Sequence, residues 1–308
     1  MNYTSYDYTN YTKCYVHGSI KNYLDTFIRT IMSNIKVNAD DNEYGLERNW
    51  INDSVIIVNG SDFLFEKSKN YYLSKLGELN DILRENNIVV LLIRGIDNPD
   101  YFKDDLLHLS NIKTIDDNSV VKLNNFNCLC IGGYSSLDRK WRIKQSTRIG
   151  KKLFWDNEEM KIDEGKIKSI IEDVDIECVI MPNAPSFAKP INEIERVSWF
   201  KDKEIKDNFL AELKQTDSLF KLLNKTKKLQ LWFFSRFNLR NKIEYSNCMF
   251  NSVKNNELRN VTNIILSNKV IKEAAINSRY INFSEDFIRS AFTLQTTSTN
   301  IYIDGARI

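Results

Sequence analysis

Ile88-Val89-Val90-Leu91-Leu92-Ile93 runs directly into Arg94-Gly95-Ile96-Asp97-Asn98-Pro99. Six apolar residues without alternation fit a strand buried on both faces, the kind found in parallel sheets covered by helices on each side. The turn-forming stretch that follows ends the strand. A second run, Val55-Ile56-Ile57-Val58, ends in Asn59-Gly60-Ser61-Asp62-Phe63, and a strand predicted over 12–17 ends in Cys14-Tyr15-Val16-His17-Gly18. All three strands therefore end in polar and glycine residues, at the edge where open α/β sheets build their sites.

Helix-period segments separate these runs. The spacing predicts a helix over 20–35, with Tyr23, Leu24, Phe27, Ile28 and Ile31 on one face, and a longer one over 66–86. Alternation of this kind predicts an α/β fold. Shorter segments at 111–115, 120–123 and 127–131 predict an antiparallel stretch. Helices follow at 161–173 and 205–224, strands at 177–181 and 229–234, and a closing hairpin at 243–245 and 248–253. The chain shows no internal repeat and no low-complexity linker. Its expected division is a domain over 12–253 and an extension over 254–308. That extension keeps an apolar periodicity (Val261, Ile264, Ile265, Val270, Ile271, Ala274, Ala275) and a β-prone end from Ser298 to Ile303, which predicts docking to a partner or self-association.

Composition narrows the function classes. With 42% hydrophobic residues in 308, the chain can bury a sizeable core. Lys+Arg of 43 against Asp+Glu of 41 leaves no global field for nucleic acid or an anionic membrane, so any binding patch must be local. No apolar run reaches the ~20 residues of a membrane span, and the N-terminus has no secretory pattern. A soluble cytoplasmic protein without a membrane or nucleic-acid partner is expected. The five cysteines form no C-x-x-C pair and fall mostly in apolar runs, which predicts reduced, buried thiols. Ten Gly and four Pro beside abundant Asn, Ile and Lys fit an AT-rich genome, bacterial or phage.

Further blocks are Gly132-Gly133-Tyr134-Ser135-Ser136-Leu137-Asp138-Arg139, Phe154-Trp155-Asp156-Asn157-Glu158-Glu159, Ala184-Pro185-Ser186-Phe187 and Trp232-Phe233-Phe234-Ser235-Arg236-Phe237-Asn238. In order, the set over about 12–252 resembles the calcineurin-like metallophosphoesterases. Their blocks read D-x-H-G, G-D-F, R-G-N-H-D-N-P, G-G-x-Y-S-x-D-R, W-x-x-E, T-H-x-A-P-S-F and W-F-x-G-H-F-H. The resemblance implies a four-layer α/β/β/α sandwich of two mixed sheets flanked by helices, with a two-metal phosphoesterase site at the strand ends.

That site is degraded in this chain, which has two histidines, His17 and His108. The first block's Asp falls on Tyr15 and its His on His17. The bridging Asp of the second falls on Ser61, or on Asp62 if the block slides by one. The third block is one residue short: Ile96 stands where the metal-binding Asn and the acid His belong, while Asp97-Asn98-Pro99 keep the D-N-P. In the sixth block Pro182 replaces the ligand His; in the last, Arg236 and Asn238 replace both histidines. A phenol and an alkyl chain do not ligate hard divalent ions, and an inserted guanidinium opposes them. His108, in an acidic and apolar segment, is expected to be structural. The aromatic residues Phe154, Trp155, Trp199, Phe200, Trp232, Phe233 and Phe234 are expected in the core.

The expected function is therefore that of a catalytically inactive metallophosphoesterase-like protein, without metal or cofactor. Its role would be structural or binding, in a phage particle or other large assembly. Two alternatives stand beside it. Arg94, Arg139 and Arg236 would hold a phosphate or nucleotide without hydrolysis, unless they lie at the surface or pair with local carboxylates such as Asp97 and Asp138. Otherwise, one metal on His17 and Asp62 would support a residual esterase. If Arg236 fills the vacated site, Asp62 or Asp97 is its expected partner.

Overall fold

The computed structural model describes residues 3–21, 23–35, 51–64, 67–102, 109–124, 126–191, 200–262 and 264. They include strands β1 (Ser5–Tyr8) and β2 (Lys13–His17), helix α1 (Leu24–Ser33), β3 (Ser54–Val58), α2 (Lys69–Glu85), β4 (Ile88–Leu92), β5 (Ile112–Thr114), β6 (Ser119–Leu123) and β7 (Asn127–Cys130). Then come α3 (Arg139–Ile149), α4 (Glu164–Asp173), β8 (Cys178–Ile180), α5 (Lys203–Asn224), β9 (Leu231–Phe234), β10 (Lys242–Tyr245), β11 (Cys248–Ser252) and β12 (Leu258–Asn260).

These strands form two mostly parallel sheets flanked by helices. One has the order β12-β2-β3-β4-β5, parallel except for β12. The other has the order β1-β6-β7-β8-β9-β11-β10, with antiparallel pairs at β6–β7 and β10–β11. β3 and β4 are buried along their full length, as their unbroken apolar runs require. The helices pack by stripe. Leu24, Phe27 and Ile31 of α1 and Leu76, Leu79 and Leu83 of α2 join one core cluster with the five-stranded sheet. Ile167 and Ile170 of α4 and Leu219, Phe220 and Leu223 of α5 join another with the seven-stranded sheet. Side chains of Ser68, Asp163 and Asp202 cap α2, α4 and α5 by accepting from first-turn N–H groups.

Several expectations shift. Tyr23 is exposed, just before α1, and does not share that helix's buried face. β5 pairs parallel with β4 in the other sheet, so only β6 and β7 form the antiparallel stretch. Residues 1–11, left outside the expected domain, supply β1, which adds parallel to β6. The chain also continues past Val253 into β12, antiparallel to β2, and the Cys14 N–H donates to the Thr262 Oγ1 at 2.8 Å. A Cβ on Gly18 would collide with the Lys254 carbonyl, so the glycine permits this return. One compact unit accordingly comprises 1–35 and 51–262, and a second 36–50 and 263–308, of which only Ile264 is described. His108, Trp199 and, within the expected docking extension, 263 and 265–308 lie outside the described residues. Among those described, no helix is long and apolar enough to cross a membrane.

Candidate functional site

His17, which ends β2 on the strand neighbouring β3, is buried, and the loops after β3 and β4 bring the buried Ser61, Asp62 and Asp97 together. Asp97 organises them. Its Oδ2 accepts from the Ser61 hydroxyl (2.7 Å), the Asp62 N–H (3.0 Å) and the Gly95 N–H (2.8 Å), and its Oδ1 from the N–H groups of Phe63 (2.9 Å) and Leu64 (2.8 Å). Five donors on two oxygens leave little lone-pair capacity for anything else.

Asp62 is held by a separate set. Its Oδ1 accepts from the Ile96 N–H (2.9 Å), its Oδ2 from the hydroxyls of Ser19 (2.5 Å) and Tyr134 (2.8 Å). Burial, and then the neighbouring Asp97 charge, push its pKa up to about 6. A Cβ on Gly95 would lie on this carboxylate, which is why the third block keeps its glycine. Burial and the adjacent Asp62 charge likewise raise the Tyr134 phenol well above its usual value, so it donates.

His17 contacts neither carboxylate through a hydrogen bond. Its Nδ1 donates to the Gly18 carbonyl at 2.6 Å, its ring meets Phe27 edge-on at 4.9 Å, and its buried Nε2 has no hydrogen-bond partner. Burial lowers its pKa to about 4, so it is neutral near pH 7. Tyr15 belongs to the core on the α1 and α2 side and bonds to Asn260 of β12. Ile96 is half-buried, and Pro182 uses its carbonyl to accept from the N–H groups of Ser235 and Arg236. Asn238 is exposed, with its Oδ1 accepting from the Asn255 N–H.

Arg236 does fill a buried position, but its partner is neither Asp62 nor Asp97. Its Nη1 reaches Glu212 Oε2 at 2.5 Å and Asn183 Oδ1 at 3.1 Å, and its Nη2 donates to the Ser135 carbonyl. The guanidinium lies over the rings of Tyr134, Phe209 and Phe237, at 4.7, 5.1 and 5.2 Å. Glu212 also accepts from the Ser135 N–H at 2.5 Å. The helix α5 stripe, Phe209, Glu212, Thr216, Leu219, contains this Glu at a core position, and that misplacement was the available signal.

The other two candidate anion ligands are also engaged. Arg94 donates to Asp117 (2.6 Å) and to the carbonyls of Asn157, Glu158 and Glu159; Arg139 pairs with Glu159 (3.1 Å) and stacks on Phe154 (4.3 Å). Neither uses Asp97 or Asp138, the partners expected from proximity in sequence. Arg142, unremarked in the sequence, is buried against Glu158 at 3.0 Å. That carboxylate, raised by burial against the lowering pull of Arg142, also accepts from Ser136 N–H and hydroxyl.

A pair of divalent ions does not fit this donor set. His17 Nε2 is one orphaned nitrogen, while the oxygens of Asp62 and Asp97 face protein donors, and Tyr15, Ile96, Pro182 and Arg236 offer no ligand. Among the described residues no group of three or more His, Cys, Asp or Glu is arranged to hold a metal.

No protein-family profile matches the chain, and no curated protein matches it. One solved crystal structure is similar over 82% of this chain and 96% of its own, with a TM-score of 0.43 and 11% identity. A cold-active protein tyrosine phosphatase is similar over 83% and 75%, with a TM-score of 0.33 and 12% identity. Similarity this distant assigns no function to the chain.

Proposed function

We propose that this chain is a catalytically inactive metallophosphoesterase-like domain that serves by shape and binding, its metal centre replaced by a hydrogen-bonded network. Support for the implied α/β/β/α layering comes from contacts between the sheets. Asn59, after β3, donates to the Phe233 carbonyl of β9 at 3.2 Å and accepts from the Ser235 hydroxyl. The Cys14 thiol of β2 lies near those of Cys128 and Cys130 of β7. All five cysteines are free and buried, in keeping with their use as small apolar residues.

The observation that carries the inactive reading is the use of the Asp62 and Asp97 oxygens by serine, tyrosine and main-chain donors. Two-metal hydrolysis needs carboxylate oxygens open to the metals and a water activated between them. Here those oxygens hold the loops in place. The test is hydrolysis of p-nitrophenyl phosphate and bis(p-nitrophenyl) phosphate with Mn²⁺, Ni²⁺ or Mg²⁺ added, together with a melting curve in EDTA. The expected results are no turnover above about 1 per second and an unchanged melting temperature. Turnover that disappears in His17→Ala, or a chelator-induced drop of several degrees, overturns the reading.

A further inference from the structure

From Arg139 to Trp155 the chain carries seven cations (Arg139, Lys140, Arg142, Lys144, Arg148, Lys151, Lys152) and no carboxylate. Helix α3 occupies most of this stretch, and Arg142 is its one buried residue. The ion pair with Glu158 and a bond to the Ile96 carbonyl (3.4 Å) anchor that side chain in the interior. Arg139 is engaged by Glu159, and Lys140 by Asp202 with Glu204 at 4.0 Å. Lys144, Arg148, Lys151 and Lys152 form no ion pair among the described residues. Lys140, Lys144 and Arg148 stand four apart, one above another at about 6 Å of rise per step, on the face opposite Arg142. Trp141 flanks that row and is 57% exposed.

We infer that the outer face of α3 binds single-stranded nucleic acid, with Lys144, Arg148, Lys151 and Lys152 on phosphates and the Trp141 indole stacked on a base. A cationic row with an exposed aromatic beside it is the combination that single strands require, because every unpaired base offers a π-face. A membrane fits less well. Of the other exposed apolar residues, Ile143 lies on the far side of the helix from Trp141, and Ile149 lies two turns away with Gln145 and Arg148 between, so no continuous apolar face is available for insertion. A duplex or an acidic protein would satisfy the cations but leave the indole unused. The near-zero net charge of the chain is no obstacle, since the patch is local and its partner needs only to lie along one helix. This inference goes beyond the inactive-domain reading and does not depend on it.

The test is fluorescence anisotropy of a fluorescein-labelled 20-nucleotide oligo(dT) titrated with the full chain from 50 to 300 mM salt. Four phosphate contacts to a single strand predict a log–log salt slope of about −3. Lys144→Glu with Arg148→Glu should weaken binding at least tenfold at the lowest salt, and Trp141→Ala about tenfold, both with unchanged melting temperature. Absence of binding at 50 mM salt, or variants that bind as wild type, overturns the inference. So does preferential binding to phosphatidylserine vesicles, to polyglutamate or to duplex of the same length.

Discussion

At the ends of the five-stranded sheet, Asp97 is held by five neutral donors, four of them main-chain N–H groups. At the ends of the seven-stranded sheet, Glu212 is held by a guanidinium, a side-chain amide and one main-chain N–H. Both are carboxylates withdrawn from water, and each must recover the solvation it lost. Asp97 recovers it from loop backbone that has no other partner for those N–H groups, so the anion and the loop hold one another. Glu212 recovers it mainly from a single cation, whose own cost of burial is offset by the same contact. Exchanging the first arrangement for apolar residues would orphan four main-chain N–H groups; exchanging the second would orphan only two main-chain groups, the N–H and carbonyl of Ser135.

Asp97→Ala should therefore be the most damaging single change. It strands the N–H groups of Asp62, Phe63, Leu64 and Gly95 and the Ser61 hydroxyl, and each buried unsatisfied group costs about 1–3 kcal/mol, partly relieved by entering water. A loss of at least ~4 kcal/mol in urea unfolding is expected. A loss under about 2 kcal/mol would mean that the loops hold their shape without the carboxylate.

Arg236→Ala comes next, at about 3 kcal/mol, because it leaves Glu212 buried without its cation. The contrast with Asp97 is sharpened by the pair Arg236→Met with Glu212→Leu. The guanidinium already lies among Tyr134, Phe209 and Phe237, so a thioether side chain has an apolar place to go. The double variant should recover more than half of the loss. A double variant as unstable as Arg236→Ala alone would show that Ser135 and Asn183, and not the ion pair, carry the interaction.

Much of the first region was legible in the residues. The apolar runs of β3 and β4 and the glycine turns after them place Ser61, Asp62 and Asp97 on neighbouring loops, because parallel strands deliver their C-terminal ends to one edge. The partners were less legible. Glu212 lies 24 residues before Arg236 on a helix, and pairing across that distance has no local signature beyond a Glu on an apolar stripe. Helix α3 has no such stripe at all, so hydrophobic periodicity could not announce it. β1 and β12 escaped notice for another reason: each is an edge strand of three or four residues, and pairing with a sheet formed elsewhere in the chain decides its conformation.

The smallest expected effects concern the two titratable groups at the strand ends, and they have opposite signs. Folded Asp62 keeps its proton up to about pH 6, against 3.8 for the free side chain, so between these values the folded state binds more protons than the unfolded one. Its contribution to stability is then present at low pH and is lost as pH rises toward 6. His17 does the reverse. Its folded pKa of about 4 lies below the ordinary 6.5, so the unfolded state binds more protons across that interval, and stability grows as pH rises. Between pH 4 and 6 each swing is worth about 2 kcal/mol, and in the native protein they largely cancel. Urea unfolding of wild type, Asp62→Asn and His17→Phe at pH 4, 5, 6 and 7 separates them. Relative to wild type, Asp62→Asn should gain stability as pH rises from 4 to 6, and His17→Phe should lose it. Curves that run parallel to wild type in both variants would mean that neither group is kept from titrating by its burial.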